Sequence, residues 1–151
     1  MLLADSLPAS EKESYIERHL VPFNVLYLPC AFTKPPKNKY LLLACEVDIE
    51  PLFFVINSNI NNFNRKNPDL HRAHVLLKAS DNKFLEHDSY LNCNEVKTLD
   101  YAFVRQQLIE DTSKIKGLVS DNVRGDIIAA VKYSKLIEPI YKKHIINAME
   151  P

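Results

Sequence analysis

Five short apolar runs, packed closely along residues 23–98 and followed by helical periodicity to the end, constrain this chain more than any other feature. They are Phe23–Phe32, Tyr40–Val47, Leu52–Ser58, His74–Ala79 and Tyr90–Thr98, each bounded by turn-forming residues. Runs of this length, rich in aromatic and β-branched residues, read as strands. Five of them at close spacing predict a small, strongly curved antiparallel sheet, an α+β fold with a mainly β core. Pro29 within the first run marks an edge or a bulge, because proline has no amide to give to a ladder.

Helices frame the sheet. Residues 8–20 read as a helix, with Ser10 and Glu13 in capping-box spacing and Tyr15, Ile16 and Leu20 on one side. Asp100 caps a helix over 101–110, and Ser120 caps one running to about 134. In the latter Val123, Ile127, Ala130, Val131 and Leu136 recur at helical spacing. Pro139 precedes a last helix near 140–149. Between the third and fourth strands, Asn59–Arg72 holds Asn61, Asn62, Asn64 and Asn67 and reads as an irregular loop. Phe84-Leu85 follows the turn at 80–83, placed to plug one end of a barrel. Phe53, Phe54 and Phe103 are core candidates. With 151 residues, this is one domain. It divides into an N-terminal helical extension (1–20), the sheet domain (21–136) and a helical tail (137–151).

Composition narrows function. Gly117 and Gly125 are the only glycines, so the glycine-rich loops that cradle nucleotide phosphates are excluded. Nineteen basic and nineteen acidic residues cancel, so any nucleic-acid site must be local. Residues 33–80 carry seven lysines and arginines against four acidic residues, whereas Asp5, Glu11, Glu13 and Glu17 make residues 1–20 acidic. Cys30, Cys45 and Cys93 are an odd number without a CxxC pair and sit in apolar stretches, which predicts buried free thiols. The start Met1–Asp5 lacks the pattern of a signal peptide, and no apolar run approaches a membrane span. The expectation is a cytoplasmic protein.

Two basic groups stand out: Lys34, Lys37 and Lys39 around Pro35-Pro36, and Arg65, Lys66, His71, Arg72 and Lys78. Either suits a phosphate backbone. Tyr40 and Tyr90, at strand starts, are placed to stack on bases. His71-x-x-His74 with Asp69 lacks a third ligand at a standard metal spacing. His87-Asp88-Ser89 invites a hydrolase reading, but adjacent residues do not assemble a triad, and Asp88 and Ser89 suit turn hydrogen bonds better.

The stretch Cys93-Asn94-Glu95-Val96-Lys97-Thr98-Leu99-Asp100 resembles the last-strand signature Cys-Asp-Gln-x-Arg-Thr-Ile-Asp of the PemK/MazF toxin family. Lys116-Gly117-x-Val119, the Val21–Lys39 segment, and His74 through Phe84 with Asp88-Ser89 resemble further family elements in the same order, over roughly residues 21–136. The resemblance implies a five-stranded SH3-like barrel and a homodimeric endoribonuclease that cleaves single-stranded RNA without metal or cofactor. It also implies a cognate antitoxin as protein partner. In that family a 2′-hydroxyl attacks the neighbouring phosphate, assisted by an arginine and a nearby threonine or carboxylate. Lys39 matches the arginine, Asn57 the threonine with Ser58 beside it, and Asn92 and Asn94 match an arginine and an aspartate of the fifth strand. Lysine keeps the charge without the bidentate fork, and amides do not exchange protons near neutral pH. His71 is the residue assigned to the missing proton transfer. The catalytic set is thus Lys39, Asn57, Ser58 and His71. Lys34, Lys37, Tyr40, Arg65, Lys66, Arg72, Asn92 and Asn94 form the RNA-binding set. The alternative is a catalytically inactive barrel of this type, serving as an RNA- or protein-binding regulatory module.

Overall fold

The computed structural model describes residues 8–151. Met1–Asp5, read above against a signal peptide, lies outside the described residues. Helix α1 (Ala9–His19) leads into strands β1 (Asn24–Cys30), β2 (Lys37–Val47) and β3 (Glu50–Asn57). Two short helices follow, α2 (Asn62–Lys66) and α3 (Pro68–Arg72), then β4 (His74–Leu77) and β5 (Ser89–Thr98). Helix α4 (Tyr101–Glu110), a 3₁₀ turn, strand β6 (Ile115–Leu118), α5 (Asp121–Tyr133) and α6 (Pro139–Met149) complete the chain.

The fold is α+β, with one antiparallel sheet in the order β4-β5-β3-β2-β1-β6. It has six strands where the sequence predicts five, and its outer strands β4 and β6 do not pair, so the sheet is open. β6 is short and contains Gly117 at φ 108, a backbone state that suits glycine and weakens any strand pattern in sequence. Register shifts at Val25/Leu26, Leu43/Cys45 and Phe53/Val55 sharpen the local twist.

Both faces of the sheet are buried, which explains why the strands read as continuous apolar runs. Val25, Leu42, Phe54, Leu91 and Leu77 pack with Val123, Ile127 and Val131 of α5 and Ile145 and Met149 of α6. Leu26, Leu28, Leu41, Leu43 and Phe53 face the other way, against Ile16 of α1 and Val104 and Leu108 of α4. Period-two alternation thus sends the adjacent Phe53 and Phe54, both fully buried, into opposite cores. Each ring contributes about 1.5–3 kcal/mol by leaving water. Leu85 joins the first core, whereas Phe103, expected inside, is 36% exposed on the outer side of α4.

Local signals behave unevenly. Asp100 accepts from Phe103 N–H and caps α4 as predicted. The capping box expected at Ser10 does not form; the N-cap of α1 is Pro8. The asparagine-rich segment is two helical turns rather than irregular loop. Asn61 accepts from Asn64 N–H, Asn67 accepts from the amides of Asp69 and Leu70, and Pro68 takes a first-turn position in α3. Asn61 and Asn67 therefore act as helix caps. All three cysteines are free and buried. No helix among the described residues is long and apolar enough to cross a membrane.

Candidate functional site

Strand pairing assembles the site at the end of the sheet where β1 turns into β2. Thr33 fixes that turn. Its hydroxyl donates to the Cys30 carbonyl at 3.0 Å and accepts from Lys37 N–H at 2.9 Å, leaving Lys34 exposed at the tip. The strand begins earlier than predicted, so Lys37 and Lys39 lie on β2 rather than in a loop. Lys39 pairs with Leu28, and the Tyr40–Ile56 pairing sets Asn57 opposite Lys39 on the other side. The Lys39 ammonium donates to Asn57 Oδ1 at 2.8 Å. Burial lowers the pKa of Lys39, and the charge of Lys37 adds to the effect. The Cys30 thiol beside it is pushed up by burial, against the opposing pull of Lys39.

Asn57 in turn pairs with Tyr90, and Tyr90 with Leu76. Lys39, Asn57, Tyr90 and Leu76 therefore form a row across β2, β3, β5 and β4, on the face that carries Leu28. Tyr40, one residue on, points to the opposite face and pairs with Tyr27. The two rings lie 4.6 Å apart at 45°, and Tyr40 also meets Phe84 at 5.4 Å. Lys116 of β6 stands 5.8 Å over the Tyr27 ring.

Tyr27 and Tyr40 line a cleft of about 260 Å³ with Asn38, Lys39, Ile56, Ser58, Leu85, Glu86, His87 and Ser89. Lys39 thus borders both the cleft and the polar row. The Tyr40 hydroxyl donates to the Phe84 carbonyl at 3.2 Å, tying β2 to the cleft wall. Burial raises the pKa of Tyr40, with Tyr27 and Glu86 contributing further. His87 Nδ1 lies 3.0 Å from the Asp88 carbonyl, to which it can donate. Asp88 accepts from Ala79 N–H at 2.9 Å, and the Ser89 hydroxyl donates to the His87 carbonyl at 3.1 Å, so both hold the turn.

Of the candidate binding and catalytic residues, Lys39, Tyr40, Asn57, Ser58 and Tyr90 come together here, with Lys37 near Lys39. The others do not. Arg65, Lys66 and His71 ride exposed on α2 and α3, away from the cleft lining. Arg72 stacks over the Tyr133 ring at 4.2 Å, above a network in which Asp69 accepts from Tyr133 at 2.7 Å and Lys135 at 3.0 Å. Arg72 and Lys78 border a separate hollow of about 520 Å³ between β4 and α5. Asn92 and Asn94 are 9% and 4% exposed. Asn92 Oδ1 accepts from Asn94 N–H, and Asn94 Nδ2 donates to the Leu70 carbonyl at 2.8 Å. Their amides satisfy buried backbone groups, which withdraws them from an RNA surface. His74, and not His71, joins the sheet face. It pairs with Asn92, its Nδ1 meets the Leu70 carbonyl at 2.8 Å, and burial lowers its pKa.

Sequence reasoning missed Tyr27 and Glu86 as site residues, and it named His87 only in setting aside a triad and Lys116 only within the resemblance. Tyr27 was hidden inside an apolar run, and its role emerges only from the register with Tyr40. No protein-family model matches the chain, and no curated protein matches it at a significant level.

Proposed function

We propose that the protein is a PemK/MazF-like, metal-independent endoribonuclease acting on single-stranded RNA at the rim formed by Lys39, Asn57, Ser58 and His87. The observation that carries this reading is the half-buried Lys39, whose ammonium is held by Asn57 and which borders a cleft that His87 also lines. The 2′-hydroxyl gives its proton to His87 Nε2 and forms a bond to the adjacent phosphorus. The bond from phosphorus to the 5′ oxygen breaks, leaving a 2′,3′-cyclic phosphate. Lys39 stabilises the charge building on the phosphoryl oxygens, the contribution usually largest in such sites. The lowered pKa of its ammonium makes it the better acid toward the departing 5′ oxygen. Asn57 fixes Lys39, and the Ser58 hydroxyl is available to a phosphate oxygen. His87 takes the role that sequence reading assigned to His71. The SH3-like barrel, the homodimer and an antitoxin partner belong to the same reading.

The test is purified protein incubated with long single-stranded RNA in chelator. Wild type cleaves, and Lys39→Ala loses about 10²–10³-fold in rate. Equal cleavage by both proteins removes the assignment of Lys39. Binding without cleavage by wild type selects the inactive binding module. Growth arrest on expression, relieved by a co-expressed neighbouring gene, tests the toxin and its partner.

A further inference from the structure

We propose that the cleft between Tyr27, Tyr40 and the 84–87 wall is a guanine-binding subsite. The inference deepens the RNA reading and rests on it for the nucleic-acid source of the base. The cleft is smaller than the roughly 300–1,000 Å³ typical of drug-sized ligand sites, which matches one base rather than several. Its aromatic side is the half-exposed Tyr27–Tyr40 pair, a surface on which a planar base stacks.

The opposite requirement, reading the base edge, falls to Glu86. This carboxylate is exposed, lines the cleft and makes no salt bridge or hydrogen bond among the described residues. An ionised carboxylate only accepts, and it accepts best from two parallel N–H groups. Guanine alone of the four bases offers such a pair, on N1 and N2. Adenine and cytosine offer a single amino group beside a ring acceptor, which repels the second carboxylate oxygen. Uracil offers one N–H between two carbonyls. Lys39 on the rim and Lys116 beyond Tyr27 bracket the cleft with positive charge where a backbone would leave it.

Both a free guanine nucleotide and a guanosine within RNA carry this chemistry, and the experiment separates them. Fluorescein-labelled U₉ and its variants with a central G, A or C are titrated by anisotropy, with GMP and AMP as competitors. The G oligomer is expected to bind about tenfold tighter than the A oligomer, the lower end of what one bidentate base contact supplies. Glu86→Gln is expected to bring that preference below about twofold. Because Glu86 is exposed, the variant keeps the fold, checked by its thermal midpoint. Equal affinity of wild type for all four oligomers overturns the guanine assignment and leaves the RNA reading standing. A preference for G that survives Glu86→Gln also overturns it. Saturable GMP binding, preferred over AMP, without oligomer binding supports the guanine site and overturns RNA as its source. No binding of any probe overturns both.

Discussion

Replacing Lys39 by methionine is expected to separate stability from activity, with opposite signs. Methionine keeps the aliphatic stem that packs beside Leu28 and Cys30 and removes only the ammonium. In the folded protein burial disfavours that charge more than its surroundings repay, since the pKa of Lys39 is lowered. At neutral pH the unfolded state holds the same proton at less cost, so the charge destabilises the fold, and removing it relieves that cost. Lys39 is partly open to solvent, which screens the effect, and loss of the hydrogen bond to Asn57 offsets part of it. The net expectation is a gain between zero and about 1 kcal/mol, in the range common for charges kept for function. For a domain of this size that is a rise of at most about 2–4 °C in Tm. The pH dependence supplies an internal check. Between its lowered folded pKa and its unfolded value of 10.5, Lys39 makes wild-type stability rise with pH, because the unfolded chain then binds more protons. The advantage of K39M is therefore full near pH 7 and shrinks toward pH 10. Urea titrations at several pH values measure it, alongside RNA cleavage expected to fall about 10²–10³-fold. A variant destabilised by more than about 1 kcal/mol, or a gap that widens with pH, refutes the electrostatic reasoning.

Three further outcomes follow from other parts of the fold. The β2–β3 hairpin closes through Asp48 and Ile49, both at positive φ, and Ile49 at φ 70 is a β-branched residue in a conformation that favours glycine. Ile49→Gly is expected to raise stability by about 0.5–1 kcal/mol, read from the urea midpoint, since Ile49 is 70% exposed and forfeits little packing. Asn94→Ala removes a buried amide that serves Leu70 and is expected to cost about 1–3 kcal/mol without changing RNA affinity. The Tyr133 and Lys135 bonds hold the Asp69 carboxyl below its usual 3.8, so their stabilisation is present above that pH and disappears as acid protonates it. Asp69→Asn should flatten the stability profile below about pH 4, and an unchanged acid limb would show the network to be inert.

The sheet was legible because both of its faces are buried, which turned β1, β2 and β3 into unbroken apolar runs. Its closure was not. A four-residue β6 containing Gly117 has no strand signature of its own, and whether outer strands meet depends on bulges that no local pattern reports. The asparagine run misled for a related reason. Asparagine serves turns and helix caps equally, and only the amides three residues on distinguish the two. At the site, Lys39 and Asn57 were found one by one from a resemblance, and the register shows them to be cross-strand partners. Tyr27 and Glu86 lay beyond sequence reasoning because the first needs pairing with Tyr40 and the second needs the fold of the 84–87 wall. Asn92 and Asn94 matched functional positions in order, yet local backbone demands claimed their amides.

The most direct test of the central claim is the chemistry of the RNA ends. Long single-stranded RNA is incubated with the protein in chelator, and the products are analysed by mass spectrometry. Attack by the 2′-hydroxyl predicts fragments ending in 2′,3′-cyclic phosphate with free 5′-hydroxyls, formed by wild type and lost in K39A. Intact RNA, or fragments with 5′-phosphates, would contradict it.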